Sequence, residues 1–533
     1  MAIRTKRFAG AICLSFLLPG ISWSAPEVIQ EVYHDTSPPL SSIPAYSVSG
    51  AEAQKPMRNF PVKGIPAHTA AAQQPAAATD RALQPPPNIS PLISVTAGLN
   101  FDGVGTGFSG PQGTFTVPGA PSDSNGAIGA TQYVEMVNLS FAVFNKSTGA
   151  AVMGPVANKT VWSGFGGQCE AQNDGDPVVA YDKAANRWIL TQFAVSGGNG
   201  NFFECVAVST TSDATGSYNR YAFSMPNFPD YPKIGVWPDA YYAAFNMFDN
   251  NSGAFLGARA CAFDRAKMLT GAAATQVCFQ LSSTFGGLLP SDLDGSTAPP
   301  TSSPNYFLAL GRTTSSLDLW KFHVNFTTPA SSTFTGPTAI AVTTYAEACG
   351  GGTCIPQSGT STQLDSLGDR LMHRLAYRNF GTHEALVANH SVTSGSTVGV
   401  RWYEIRSPGG TPSVFQQGTY SPNSTRRWMA SVAMDKLGDM AVGYSASSSS
   451  MHPAIRYTGR LVTDTAGTLQ SENTVITGGG SQNGGLTRWG DYSAITIDPI
   501  DDCTFWYVDQ YLKTTGSFNW STRIASFKFP TCH

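Results

Sequence analysis

Charge is scarce in this chain. Only 13% of its 533 residues are Asp, Glu, Lys or Arg, about half the roughly 25% of an average globular protein. The formal net charge is −3, so there is no basic field for nucleic acid and no polybasic patch for an anionic membrane. After the first 24 residues no apolar run approaches the roughly 18 residues of a membrane-spanning helix. Helical periodicity is nearly absent as well, with a turn or two near Asp264–Leu269 as the one good candidate. The cysteines lack CxxC spacing and the histidines lack finger spacing, which argues against structural zinc. His383-Glu384 with His390 is not a zinc helix, because HExxH places its second histidine four residues after the first. No GxSxG elbow, phosphate-binding loop or dinucleotide fingerprint occurs.

What is present begins with an address. Arg4, Lys6 and Arg7 precede the apolar stretch Phe8–Ile21, and Ser22-Trp23-Ser24 offers small residues at the cleavage positions. Residues 1–24 therefore read as a secretory signal peptide, and the destination as periplasm, exterior or cell surface. Cys13 leaves with that signal. The other eight cysteines are an even set, as disulfides in an oxidising compartment require. Eight cysteines allow 105 pairings, but sequence spacing favours neighbours: Cys169 with Cys205, Cys261 with Cys278, Cys349 with Cys354 and Cys503 with Cys532.

Residues 25–92 are rich in Pro, Ala, Ser and Gln and read as a disordered leader or linker outside the fold. From residue 93 to 533 the texture changes to short apolar runs between Gly, Asn, Asp, Ser and Pro. Val178-Val179-Ala180-Tyr181 followed by Trp188-Ile189-Leu190-Thr191-Gln192-Phe193 is strand, turn, strand. The unit recurs at Ala240–Phe245, Ala385–Ala388, Met440–Tyr444 and Ala494–Ile497. A polar or aromatic residue leads into an apolar strand at Asn125, Asp176, Tyr231, Asp292, His373, Trp428 and Asp491. Adjacent members are about 50–80 residues apart, room for the four strands of one propeller blade. The fold expected is all-β: a single β-propeller of seven four-stranded blades, with six or eight as alternatives.

In a propeller, residues at the start of each innermost strand converge near the axis. Here one half of that ring is acidic or amide: Asp123 and Asn125, Asp174 and Asp176, Asp230, and Asp292 with Asp294. The other half is basic: Arg370, His373 and Arg374, then Arg426 and Arg427, then Arg488 beside Trp489 and Asp491. A ligand site would use Asp176, Asp491 and Asp123 as acid, base or nucleophile. Asn125, Asp174, Asp230, Arg374, Arg427 and Arg488 would bind an anionic or polyhydroxylated ligand, with Trp428 and Trp489 as flat faces for a sugar ring. The same residues have a plainer use: Asp caps turns, Arg and Asp close a ring as pairs, and tryptophans pack between blades. Asp249-Asn250-Asn251-Ser252-Gly253 alternates oxygen ligands as calcium loops do, but without the bidentate Glu it reads first as a hairpin turn. Calcium is the one cofactor candidate, and otherwise none is implied.

Two passages resemble sialidase-like (BNR-type) propellers. Asn173-Asp174-Gly175-Asp176-Pro177-Val178-Val179-Ala180-Tyr181-Asp182 with Asn186-Arg187-Trp188 is similar to the start of their blades. Ser212-Asp213-Ala214-Thr215-Gly216-Ser217-Tyr218 resembles their Asp-box turn, without its Thr-Trp ending. The whole chain also resembles an uncharacterised group of bacterial secreted propeller proteins. The sialidase resemblance implies an arginine triad, for which Arg374, Arg427 and Arg488 stand, an acid Asp and a Tyr–Glu pair that is not identifiable here. Three classes of function follow: a glycoside-hydrolase-like enzyme, a non-catalytic adhesin or lectin binding glycan or protein, and a structural scaffold. The chain is expected to act as a monomer with an extracellular glycan or protein partner.

Overall fold

The run Tyr241-Tyr242-Ala243-Ala244-Phe245 shows why apolar segments here become strands buried on both faces. All eight residues of the strand Tyr241–Phe248 are buried. Alternate side chains point to opposite faces of a strand. Tyr242 and Ala244 join one core with Phe307 and Trp320, and Tyr241, Ala243 and Phe245 join another with Val206 and Phe223. The sheet is therefore a partition between two cores, sandwiched by a neighbour on each side.

The computed structural model describes residues 25–44, 80–85, 94–195 and 201–533, with the backbone of 55–56. Residues 1–24, where a signal peptide is expected, lie outside the described residues. The described strands form seven four-stranded antiparallel meanders, numbered here as blades one to seven. Their innermost strands are Asn125–Ile128, Val178–Asp182, Phe228–Val236, Leu289–Asp294, Leu375–Asn379, Arg426–Met434 and Ala494–Ile497. Each lies against the next, and the last against the first. A closed ring of radial antiparallel sheets is a β-propeller. Between blades four and five the inner strands pair in parallel, from Ser291 opposite Leu375 to Asp294 opposite Arg378. Blade seven is closed by strands from far apart in the chain, where Thr96–Asp102 pairs antiparallel with Trp520–Lys528. The short helix expected near Asp264 runs Arg265–Thr270, its N-terminus capped by the Asp264 carboxylate.

The N-terminal segment departs from the expected disordered leader. Tyr33–Thr36 adds a fifth strand to the outer edge of blade two, and Glu27–Gln30 does the same for blade three. Asp80 reaches Arg401, and Gln84 exchanges hydrogen bonds with Leu469. Backbone and side-chain hydrogen bonds hold these residues, which low apolar content does not prevent.

The four disulfides are the local pairs expected: Cys169–Cys205, Cys261–Cys278, Cys349–Cys354 and Cys503–Cys532. Cys503 and Cys532 are 29 residues apart and fasten the C-terminal end to blade seven. Replacing both by serine should cost about 3–4 kcal/mol by the loop-entropy relation, read as a lower urea midpoint. An unchanged midpoint would remove this link from the closure of the ring.

A buried acid in blade one gives a pH signature. Glu135 is 0% exposed; its Oε2 accepts from the Val104 amide at 2.7 Å, and the Thr522 side chain also hydrogen-bonds the carboxyl. Burial pushes its carboxyl up to about 8. The folded state thus holds a proton that the unfolded chain releases near pH 4.5. Stability present below that pH is lost as pH rises toward 8, by on the order of 1 kcal/mol per pH unit. Glu135→Gln should therefore reduce the loss of stability between pH 5 and pH 8 by one proton's share. Identical slopes in parent and variant would contradict the buried-acid assignment.

Candidate functional site

The innermost strands all start at the same end of the axis, and their starts repeat a backbone feature. Asp123, Asp176, Tyr231, Met429 and Asp491 have φ of 48°, 43°, 56°, 50° and 56°. Left-handed backbone is disfavoured for residues with a Cβ and is commonest for Asp and Asn. Tyr231 and Met429 hold it without that allowance, so surrounding contacts impose it.

The acids so placed sit close enough to perturb one another. Asp176 Oδ2 accepts from the Tyr492 hydroxyl at 3.1 Å and from the Tyr231 amide at 3.2 Å. Asp491 pairs with Arg488, and its Oδ1 and that of Asp123 have no hydrogen-bond partner. Burial, reinforced by the charges of Asp176 and Asp491, pushes the Asp123 carboxyl well above the usual range. Burial and the Asp491 charge push Asp176 up too. Asp230 is pushed up to about 7, by burial first and then by Asp176.

Cations and rings complete the mouth. The Lys233 ammonium lies 3.2 Å from the Tyr231 ring centroid and 3.6 Å from that of Tyr492, and donates to the Pro232 carbonyl at 2.9 Å. Burial pulls its pKa well down, with Asp176 and Asp123 opposing. The segment between blades four and five supplies Asp369 and Arg370, joined at 2.8 and 3.1 Å, with the guanidinium 4.8 Å from the Tyr231 ring centroid. His373 is pulled well below its usual pKa by burial and by Lys233 and Arg374.

Deeper in the bore, Arg374 donates to Asp292 at 3.1 Å, to Asp294 at 2.9 and 2.7 Å and to the Ile495 carbonyl at 3.2 Å. These residues, with His373, Lys183 and Thr496, line an axial cavity of about 40 Å³. That holds a few waters and no sugar ring. Anything of that size can reach only the mouth, where Asp176, Asp230 and Arg488 retain some exposure.

The structure thus brings together Asp123, Asp176, Asp230, Arg488 and Asp491 among the residues expected at the site. Others do different work. Asn125 is a staple between blades one and two, donating to the Pro177 carbonyl at 2.7 Å and accepting from the Val179 amide at 2.8 Å. Asp174 accepts from the Val195 amide at 2.6 Å. The three arginines do not form a triad. Arg374 is committed to Asp292 and Asp294, and Arg427 reaches across blade six to Glu472 with both contacts at 2.8 Å. Only Arg488 stands at the mouth. Trp428 and Trp489 are each 0% exposed; their rings are 6.0 Å apart in a core with Met372 and Val398. Neither offers a face to a sugar. The Asp249 carboxylate caps its own turn, accepting from the Asn251 and Ser252 amides and the Ser252 hydroxyl.

Tyr231, Lys233, Asp369 and Tyr492 are the members of the mouth that the acid and arginine pattern passes over. Tyr231 stands at the position of Asp176, and each is followed by proline, which is the signal that marks it.

No family model matches this chain, and no curated protein matches it. Among solved structures it is similar to a protein of unknown function from Dyadobacter fermentans at 10% identity and TM-score 0.36, over 66% of this chain and 94% of that one. It is similar to the endosialidase of phage phi92 at 9% identity and TM-score 0.35, over 82% of this chain and 69% of that one. It is also similar to Trypanosoma rangeli sialidase in complex with sialic acid, at 11% identity and TM-score 0.33, over 67% and 54% of the two chains.

Proposed function

We propose that this chain is an exported glycan-active propeller whose axial mouth hydrolyses a glycosidic bond by acid–base chemistry. The observation that carries the reading is the cluster of Asp123, Asp176 and Asp491, two of them pushed up by burial and the third ion-paired with Arg488. Neighbouring carboxyls held in different environments are what an acid and a base in one site require. Asp176 is the proton donor to the leaving oxygen, its carboxyl pushed up by burial and by the neighbouring Asp491 charge. Asp491, paired with Arg488, is the carboxylate that faces the developing positive charge or activates water. Asp123, at 2% exposure, is pushed up by burial and by both of these acids. Arg488 binds an anionic or hydroxylated group of the ligand.

A second reading, binding without cleavage, is favoured by the density of internal pairing at the mouth and the narrowness of the bore beneath it. Assaying the purified full-length chain on chromogenic glycosides and on a glycan array separates the two. Turnover supports the hydrolase, and retention of a glycan without turnover supports a lectin. Neither binding nor turnover across neutral and acidic glycans would leave the ring of charges as a structural closure.

A further inference from the structure

Three of the largest fully buried side chains, Arg220, Arg259 and Arg401, find their counter-charge in the N-terminal segment. Arg220 donates from Nε and Nη2 to the two Asp35 oxygens at 2.8 and 2.6 Å, and from Nη1 to the carbonyls of Val161 and Ser163. Arg259 Nη2 donates to Glu27 at 2.7 Å. Arg401 Nη2 donates to Asp80 at 2.5 Å, while its Nε and Nη1 hold Thr419 and the Thr343 carbonyl. A guanidinium does not shed its proton when buried. Each arginine thus needs a partner charge, and the segment supplies one each time.

The manner of attachment is that of a bound peptide. Tyr33–Thr36 pairs antiparallel with the edge strand Tyr218–Met225 of blade two, and Glu27–Gln30 with the edge strand Thr275–Gln280 of blade three. Val28, Val32 and Tyr33 remain 47%, 61% and 50% exposed, and the apolar anchor is Leu40, buried in the core with Trp162 and Tyr218. Edge hydrogen bonds and ion pairs hold the two strands that precede that anchor, as when a peptide adds a strand to a sheet.

We propose that the outer edges of blades two and three form a binding site for an acidic extended peptide. Residues 25–44 are its built-in ligand, and the exported protein keeps them as a bound strand after any cleavage of residues 45–79. This is independent of the axial chemistry. The test inserts a protease recognition sequence after Ala70 in the full chain and cuts there. The N-terminal fragment should co-elute with the body on gel filtration at neutral pH. A labelled peptide of residues 25–44 should exchange into the cut protein, and a Glu27→Gln/Asp35→Asn peptide should bind at least about tenfold more weakly, about 1.4 kcal/mol. In the uncut chain, Asp35→Asn should lower the melting temperature and Arg220→Met in the same chain should restore it. Separation of the fragment on cutting, or a peptide affinity indifferent to Glu27 and Asp35, overturns the proposal.

Discussion

Arg374→Ala is expected to destabilise the folded chain by about 3–5 kcal/mol, the cost of breaking a buried ion pair from one side. Arg374 is 3% exposed and answers two carboxylates, Asp292 and Asp294, whose side chains are 17% and 9% exposed. Without it two acids face each other across the axial cavity. Asp292 already lies above its usual pKa because burial outweighs Arg374, so removing the arginine drives it higher. The penalty should accordingly shrink as pH falls and the acids protonate. Adding Asp292→Asn and Asp294→Asn to Arg374→Ala should recover much of the loss at neutral pH. Urea unfolding at pH 7 and pH 4.5 reads all three. A loss below about 1 kcal/mol for the single variant would mean that the triple contact behaves like a solvated surface pair.

The propeller was legible because its blades repeat one local pattern, and alternation within strands such as Tyr241–Phe248 distributes side chains to both neighbouring cores. The disulfides are legible because each joins cysteines adjacent in sequence order, none more than 36 residues apart. Side-chain direction at the blade starts was not. At blade six Met429 holds the left-handed position that Asp123, Asp176 and Asp491 hold elsewhere, so Trp428 stands one residue earlier and points into a core. Trp489 stands two residues before Asp491 and meets the same fate. Arg427 is next to that start in sequence, yet its length carries it across the blade to Glu472. Lys233 and Tyr492 were hidden because they lie among residues that read as core. The N-terminal segment is illegible for a different reason: composition measures the apolar area a segment can bury, and the described residues of this one are held by strand edges, by three buried arginines and by Leu40 in a core.

The proposed hydrolysis assigns the proton donor to Asp176, and Asp176→Asn tests it most directly. Asparagine keeps the shape, can still accept from the Tyr492 hydroxyl and the Tyr231 amide, and adds no charge. Because the Asp176 carboxyl is already displaced toward its neutral form, a neutral isostere should change the unfolding free energy by less than about 1 kcal/mol. Loss of a positioned proton donor costs about 10²–10⁴-fold in rate. In the parent, activity should decline as pH rises through the elevated Asp176 titration, since the working form is protonated. The decisive measurement is glycoside turnover by parent and Asp176→Asn, with unfolding free energy determined on the same samples. The account predicts at least about a hundredfold loss of turnover at near-constant stability. Unimpaired turnover in the variant, or a collapse of its stability, would contradict it.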